Sequence, residues 1–236
     1  MDTFVTAFAE AGALLVSFDL GFLSIVGLSM RISLTAVVLA CLIGFPLGAI
    51  VALTHFPGRG AVTLLLNTFM GLPPVVVGLI VFLLLSRAGP LGVLGLLFTP
   101  AAMIIAQTIL VTPIIAALTR QITSDLWIEY GEHLRSLNAS PLGTVVTLIA
   151  DARYSLATVV LAGFGRAIAE VGAVMIVGGN IDHATRVMTT AIALETSKGN
   201  LSTALGLGIV LMALALAANA AVQLINSRAQ RRAALA

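Results

Sequence analysis

Lys198 is the one lysine of this 236-residue chain, and it stands in Thr196-Ser197-Lys198-Gly199-Asn200. A phosphate-binding P-loop needs Gly-x-x-x-x-Gly-Lys followed by Ser or Thr, so that backbone amides and the ammonium together cradle the phosphates. Lys198 has neither the glycines before it nor the hydroxyl after it. The chain is therefore not expected to hydrolyse ATP itself. If ATP drives it, ATP and Mg sit on a partner ATPase subunit. His55, His133 and His183 are scattered, with no His-Glu-x-x-His and no Cys-His spacing for zinc. No Gly-x-Ser-x-Gly nucleophile turn occurs. The single Cys41 lies in an apolar run, which excludes a disulfide framework and reads as a buried bystander thiol. No catalytic residue, metal ligand or cofactor site is expected, and a membrane enzyme is not the reading.

The charges that remain are few and placed oddly. Arg166 and Glu170 stand four apart in an otherwise apolar run, on one face of a helix. Charge inside a bilayer is costly, so such residues pair with one another or face a cavity. Two readings stand side by side: a self-satisfied pair that anchors packing, or a pair beside a translocation path or gate. A second polar group follows in Gly178-Gly179-Asn180 and continues to Thr190. Asn180, Thr185, Thr189 and Thr190 offer neutral donors and Arg186 a cation; the alternative is an ordinary capped loop. A third feature is Gly71-Leu-Pro-Pro-Val-Val-Val-Gly78. Pro73 and Pro74 remove two backbone donors and break or kink a helix. The freed carbonyls must then be satisfied by protein or by a wet cavity, so this is either a structural kink or a discontinuous helix beside the path.

The elements that position these residues follow from composition. Hydrophobic residues make up 59% and charged residues 9% of the chain, against roughly 25% charged in a soluble domain. Uncharged runs of membrane length recur, so the chain reads as an all-α, polytopic integral membrane protein. Five spans are expected, at about 31–54, 61–86, 99–119, 154–177 and 201–226. Residues 1–28 form an interfacial helix or a sixth span. Met1-Asp2-Thr3 has no basic region and does not read as a cleaved signal peptide. Net charge is only +2, so the basic balance implies no nucleic-acid surface.

The one sizeable polar segment is the hairpin 124–153. Glu129, Glu132, His133 and Arg135, with Leu134 and Leu137 among them, suit a short amphipathic helix. Asn138 tolerates the left-handed conformation that ends a helix. Ser140 fits as the N-cap of a second helix with Pro141 at its first position. Placing this hairpin inside puts Arg59, Arg120, Arg135, Arg153, Arg228, Arg231 and Arg232 in the cytoplasm, and Arg87, Arg186 and Lys198 outside. Seven against three obeys the positive-inside bias.

Glu132-His-Leu-Arg-Ser-Leu-Asn-Ala-Ser-Pro141 resembles the conserved cytoplasmic loop of binding-protein-dependent ABC importer permeases. Glu132, Leu137, Ala139, Ser140 and Pro141 fit that pattern. His133 and Leu134 replace two alanines, and Asn138 replaces a glycine. Leu72 to Gly78 is similar to a segment of molybdate and tungstate permeases. Gly163-Phe-Gly-Arg-Ala-Ile-Ala-Glu-Val-Gly-Ala173 resembles an element of the same group, and the run from Gly178 to Ile192 resembles its tungstate branch. Gly163, Gly165 and Gly172 permit close helix approach, as at a subunit interface.

The resemblance implies a type I ABC importer permease fold, with the transmembrane domain over 29–230 and a coupling helix in the hairpin. Coupling to the ATPase would fall to Glu129, Glu132, Arg135, Leu137, Asn138, Ala139, Ser140 and Pro141. The path or gate would fall to Pro73, Pro74, Arg166, Glu170, Gly172, Asn180, Thr185, Arg186, Thr189 and Thr190. It further implies a second copy of the chain, two cytoplasmic ABC ATPase subunits and an extracytoplasmic oxyanion-binding protein. The cargo would be tungstate, or else molybdate or another oxyanion such as sulfate or phosphate. The rival class is an ATP-independent channel or secondary carrier, which would not need the hairpin.

Overall fold

The structure, a computed structural model, describes residues 9, 12 and 20–233. Helix α1 runs Leu20–Leu53. It passes through Arg31, with no glycine or proline between Gly27 and Gly44, and runs on through Pro46; the span expected at 31–54 is its later part. Residues 20–28 belong to α1, and the rest of the expected N-terminal helix falls almost wholly outside the described residues. Both faces of α1 are apolar: Ile32, Ala36 and Ala40 are buried, while Leu34, Val38 and Leu42 are exposed. A helix apolar all round is one that lies in lipid.

The run expected as one span over 61–86 is two helices, α2 (Arg59–Phe69) and α3 (Pro74–Leu85). The break has a local cause. A residue before proline is driven out of the helical region, and Pro73 accordingly sits at φ −65°, ψ 119°, with Pro74 at the start of α3.

Helix α4 spans Pro100–Ser136, 37 residues without interruption. The separate amphipathic helix expected in the hairpin is the end of this helix. No glycine or proline stands between Ile114 and Tyr130, so nothing stops the helix where the apolar span was expected to end. Helices α5 (Pro141–Asp151) and α6 (Arg153–Ile168) follow, with Ala152 alone between them and a bend of 76°. The span expected at 154–177 is interrupted again: α7 (Gly172–Gly178) starts after Ala169–Val171. Helices α8 (Met188–Ser197) and α9 (Leu201–Ala233) complete the order. Among the described residues three helices are long and apolar enough to cross a membrane: α1, α4 and α9. The number rises to five if α2 with α3, and α5 with α6, each count as one bent span.

Two compact units divide the chain. The first contains the described residues up to Ala36, then Pro73–Gln107 and Arg166–Ala217. Its core includes Ile32, Met103, Val174, Val177, Met188 and Leu207, all but sealed from solvent. Helices α3 and α7 cross at Gly78, where a Cβ would lie 2.7 Å from the Ala173 Cα. Phe82 and Phe98 pack edge to face, ring centres 6.1 Å apart.

The second unit contains Val37–Leu72, Thr108–Gly165 and the residues from Ala218 on. Here α1 meets α4 at Gly48, where a Cβ would come within 2.5 Å of the Ala116 carbonyl oxygen. Val51, Leu66, Ala116 and Ala117 form a core patch against which Val62 and Met70 pack. Arg59 closes the end of α1: its Nε donates to the Val51 carbonyl at 2.8 Å and Nη2 to the Ala52 carbonyl at 2.7 Å. The last carbonyls of a helix have no partner within it, and the guanidinium supplies one.

Candidate functional site

In the first unit the functional geometry centres on the break between α6 and α7. Glu170 lies in it, its side chain 3% exposed. Its Oε2 pairs with Arg166 Nη1 at 3.1 Å. Its Oε1 accepts the Ala173 N–H at 3.1 Å, serving an amide at the start of α7 that has no helical partner of its own. Thr189 Oγ1 donates to the Glu170 carbonyl at 2.7 Å. Gln107 of α4 donates from Nε2 to the Ala167 carbonyl at 3.0 Å. The broken backbone is thus held from α4 and α8 by neutral groups, and from α6 by an ion pair. A cavity of about 10 Å³ is lined by Ser29, Ser33, Gln107, Glu170 and Thr189, the room of about one water. Gln107 Oε1 is buried there with no hydrogen-bond partner among the described residues.

The structure unites Arg166, Glu170, Gly172 and Thr189. Gly172 opens α7, where a Cβ would meet Val75 Cγ2 at 2.9 Å, close to Pro74 at the head of α3. The other polar candidates build the next loop. Gly179 (φ 70°) ends α7 and Asn180 (φ 50°) continues in the left-handed region. Thr185 Oγ1 donates to the Gly178 carbonyl and accepts the Ile181 N–H. Thr190 accepts the Val187 N–H at 3.1 Å, and Asn180 Nδ2 reaches the Thr190 carbonyl at 3.4 Å. Ser29 Oγ on α1 accepts the Met188 N–H at 2.8 Å and so caps α8. Arg186 stands apart from the break, with Nη1 2.9 Å from Asp182 Oδ1.

Gly163 and Gly172 do allow close approach, but within this chain: Gly163 faces Val111 and Ile115. A Cβ at Gly165 would have nothing within 4 Å. Gln107 and Ser29 escaped the sequence reading. A single amide or hydroxyl in an apolar helix gives no periodic signal; a polar residue inside a span was the one cue available.

In the second unit the hairpin ends α4 as the residue types predict. Asn138 has φ 52°, and the Ala139 N–H reaches back to the Leu134 carbonyl at 3.1 Å, a left-handed helix stop. Ser140 Oγ accepts the Gly143 N–H at 3.1 Å, and Pro141 opens α5. Glu129 and Glu132 are exposed and enter no ion pair among the described residues. Arg135 lies over the Trp127 ring at 5.0 Å. Leu137, Leu142 and Val146 expose 69%, 75% and 60% of their surface. A cleft of about 550 Å³ next to them is lined by Tyr130, His133, Leu134, Thr147, Asp151 and Arg153. No group of three or more His, Cys, Asp or Glu among the described residues is placed to hold a metal ion.

Residues 44–231 match the family described as binding-protein-dependent transport system inner membrane component. The chain belongs to that family: it is a multi-pass membrane permease subunit of an ABC importer, a transport component without catalytic activity of its own. Such a system works with an ATPase and a binding protein, and a self-sufficient channel or carrier is set aside. Relatives sharpen the comparison. The chain is 40% identical to the tungstate uptake system permease protein TupB of Peptoclostridium acidaminophilum, over 94% of this chain and 97% of the relative. It is 40% identical to the protein of the same name from Campylobacter jejuni, over 93% and 92%. It is 42% identical to a probable anion ABC transporter permease protein of Haloferax volcanii, over 84% and 87%.

Proposed function

We propose that this permease carries tungstate into the cytoplasm by ATP-driven alternating access. The observation that carries the reading is the 40% identity with two tungstate uptake permeases along more than nine-tenths of the chain. Two copies form the pore, two ATPase subunits dock inside and an oxyanion-binding protein delivers cargo outside. The transmembrane domain covers 29–230. The ATPase engages the hairpin through Glu129, Glu132, Arg135, Leu137, Asn138, Ala139, Ser140 and Pro141, with the exposed Leu142 and Val146 as apolar anchors. ATP binds the closed ATPase dimer better than the open one, and that difference shifts the population of membrane states.

The path follows the broken helices of the first unit. Pro73, Pro74 and Gly172 shape the breaks, and Arg166, Glu170 and Thr189 hold the second break. Asn180, Thr185, Arg186 and Thr190 form the loop at its outer end. A dianion is met there by the Asn180 amide and the Arg186 guanidinium rather than by a lysine cage, while the threonine hydroxyls hold the loop backbone.

Elemental mass spectrometry of cells lacking this gene, grown on trace tungstate, molybdate and sulfate, tests the reading. Loss of cellular tungsten alone, restored by complementation, is the expected result. Loss of molybdenum or sulfur uptake instead would move the assignment to another oxyanion.

A further inference from the structure

The first unit contains a second polar cavity, of about 330 Å³, away from the broken helix. Ser24, Gly27, Leu28 and Arg31 of α1 line one part and His183 and Arg186 of the loop after α7 another. Two cations therefore share a cavity in a chain where charge is scarce. Arg31 is exposed and enters no ion pair among the described residues. Arg186 is only half satisfied. Its Nη1 pairs with Asp182 Oδ1 at 2.9 Å, while its Nε is buried with no hydrogen-bond partner among the described residues.

Asp182, the carboxylate paired with Arg186, is held elsewhere as well, and Glu195 is a second carboxylate within electrostatic reach of Arg186. Asp182 Oδ1 also accepts the His183 N–H at 3.0 Å, and its Oδ2 lies 3.9 Å from His183 Nε2. At 57% exposed it can leave Arg186 for water at little cost. His183 itself is held at φ 54°, in the left-handed region that non-glycine residues rarely adopt. That conformation turns the chain so that His183 and Arg186 line the same cavity.

We infer that Arg31 and Arg186 form a receiving site for a tetrahedral oxyanion, with Asp182 as the built-in competitor that holds Arg186 until the anion arrives. The chemistry is that of a guanidinium exchanging one oxyanion for another. A fork of N–H donors matches a carboxylate and a tetrahedral oxyanion alike. A dianion gains more from two guanidiniums than the single carboxylate gains from one. Anion binding then frees Asp182, and departure of the anion restores the pair, so the site is reset without a trapped charge. This inference deepens the proposed function and rests on it only for the identity of the cargo.

The test uses the permease with its ATPase subunits in phosphatidylcholine nanodiscs, without the binding protein, so that anion affinity is that of the membrane part. Binding of tungstate and of inorganic phosphate is measured by calorimetry on wild type, Arg31→Gln and Asp182→Asn. Wild type should bind tungstate saturably, and Arg31→Gln should weaken binding roughly tenfold, the order of one charge-assisted hydrogen bond. Asp182→Asn should tighten binding several-fold, a gain that misfolding cannot mimic. No saturable binding by wild type, or unchanged binding in both variants, overturns the site.

Nanodiscs containing phosphatidylglycerol separate two sources of the same chemistry. Tungstate binding that persists supports a free anion. Tungstate binding lost there overturns the receiving role and assigns the cavity to a lipid phosphate. Cellular uptake separates this proposal from the functional one. Tungsten import unaffected by Arg31→Gln, with unchanged binding in the nanodisc, sinks the site alone. Binding without import of any oxyanion sinks the transport reading alone.

Discussion

The Thr189 hydroxyl donates to the main-chain carbonyl of Glu170 at 2.7 Å, nineteen residues back along the chain. That single bond ties the first turn of α8 to the break before α7. Glu170 is the one carboxylate among the buried residues of the described chain. The backbone that carries it is therefore fixed from outside its own helix.

Thr189→Val keeps the shape and removes the donor. It should cost about 1–2 kcal/mol, the cost of a buried carbonyl left without a partner. Thermal unfolding of the purified protein in detergent measures it, with Thr189→Ser expected to stay near wild type. A Thr189→Val protein as stable as wild type would mean that the carbonyl finds another donor.

The two oxygens of Glu170 do separate work. Oε1 serves the Ala173 amide and Oε2 serves Arg166. Glu170→Gln keeps an acceptor for the amide and loses the ion pair. The Arg166 side chain is 32% exposed, so the guanidinium is not sealed in and this should be the milder of the two changes. Glu170→Leu orphans the amide too and should cost about 1–3 kcal/mol more. Equal stabilities for the two variants in a denaturation series would contradict this division.

At the hairpin, Asn138 and Ser140 set a turn rather than a charge pattern. Asn138→Gly suits φ 52° and should leave transport near normal, whereas Asn138→Val should strain the turn by about 1–2 kcal/mol. Substrate-stimulated ATP hydrolysis in proteoliposomes should fall for Asn138→Val, fall less for Ser140→Ala, and persist for Asn138→Gly. If all three hydrolyse alike, the hairpin is not where coupling runs.

Two glycines provide a control for each other. Gly78→Leu drives a side chain into the Ala173 backbone and should abolish folded protein; even Gly78→Ala should cost about 1–3 kcal/mol. Gly165→Ala meets open space and should be neutral or gain up to about 1 kcal/mol from helix propensity. Size-exclusion profiles after membrane extraction distinguish the two.

The Lys198 ammonium, 3.0 Å from Glu195, holds that carboxyl below its ordinary range, with the Asn200 amide at 2.9 Å adding to the effect. A carboxylate with a lowered folded pKa contributes stability at neutral pH and loses it as pH falls through that value. Lys198 is half exposed, so the contribution is small, about 0–1 kcal/mol. The difference in melting temperature between wild type and Glu195→Gln should be present at pH 7 and vanish below the carboxylate range. A difference that grows in acid would reverse the sign.

Much of this architecture is legible in residue types that act locally. Pro73-Pro74 breaks a helix wherever it stands, and Asn138-Ala-Ser-Pro141 encodes its own stop and start. The Arg166–Glu170 pair was visible in spacing, and it is self-paired, with the second Glu170 oxygen taking the Ala173 amide of the broken backbone. What sequence hid was continuity and partnership. The end of the apolar run near 119 resembled the end of a helix, but a change of polarity does not stop one, and α4 runs on to Ser136 before the turn at Asn138. Thr185 and Thr190 looked like donors for a passing ion; their hydroxyls are engaged by nearby backbone. Gln107 and Ser29 matter through residues far away in the chain, and Arg31 through a cavity it shares with Arg186, which periodicity cannot reveal.

The corner between α5 and α6 turns through 76° on Ala152 alone, yet the hydrogen-bond ladder barely lapses there. The Ala152 N–H reaches the Leu148 carbonyl at 2.9 Å, and the Leu156 N–H reaches the Ala152 carbonyl at 2.8 Å. Leu148, Ala152 and Leu156 are buried, so the elbow is packed as well as bonded. Such a joint is a braced corner rather than a hinge: changing its angle would break both the hydrogen-bond ladder and the packing of three buried side chains.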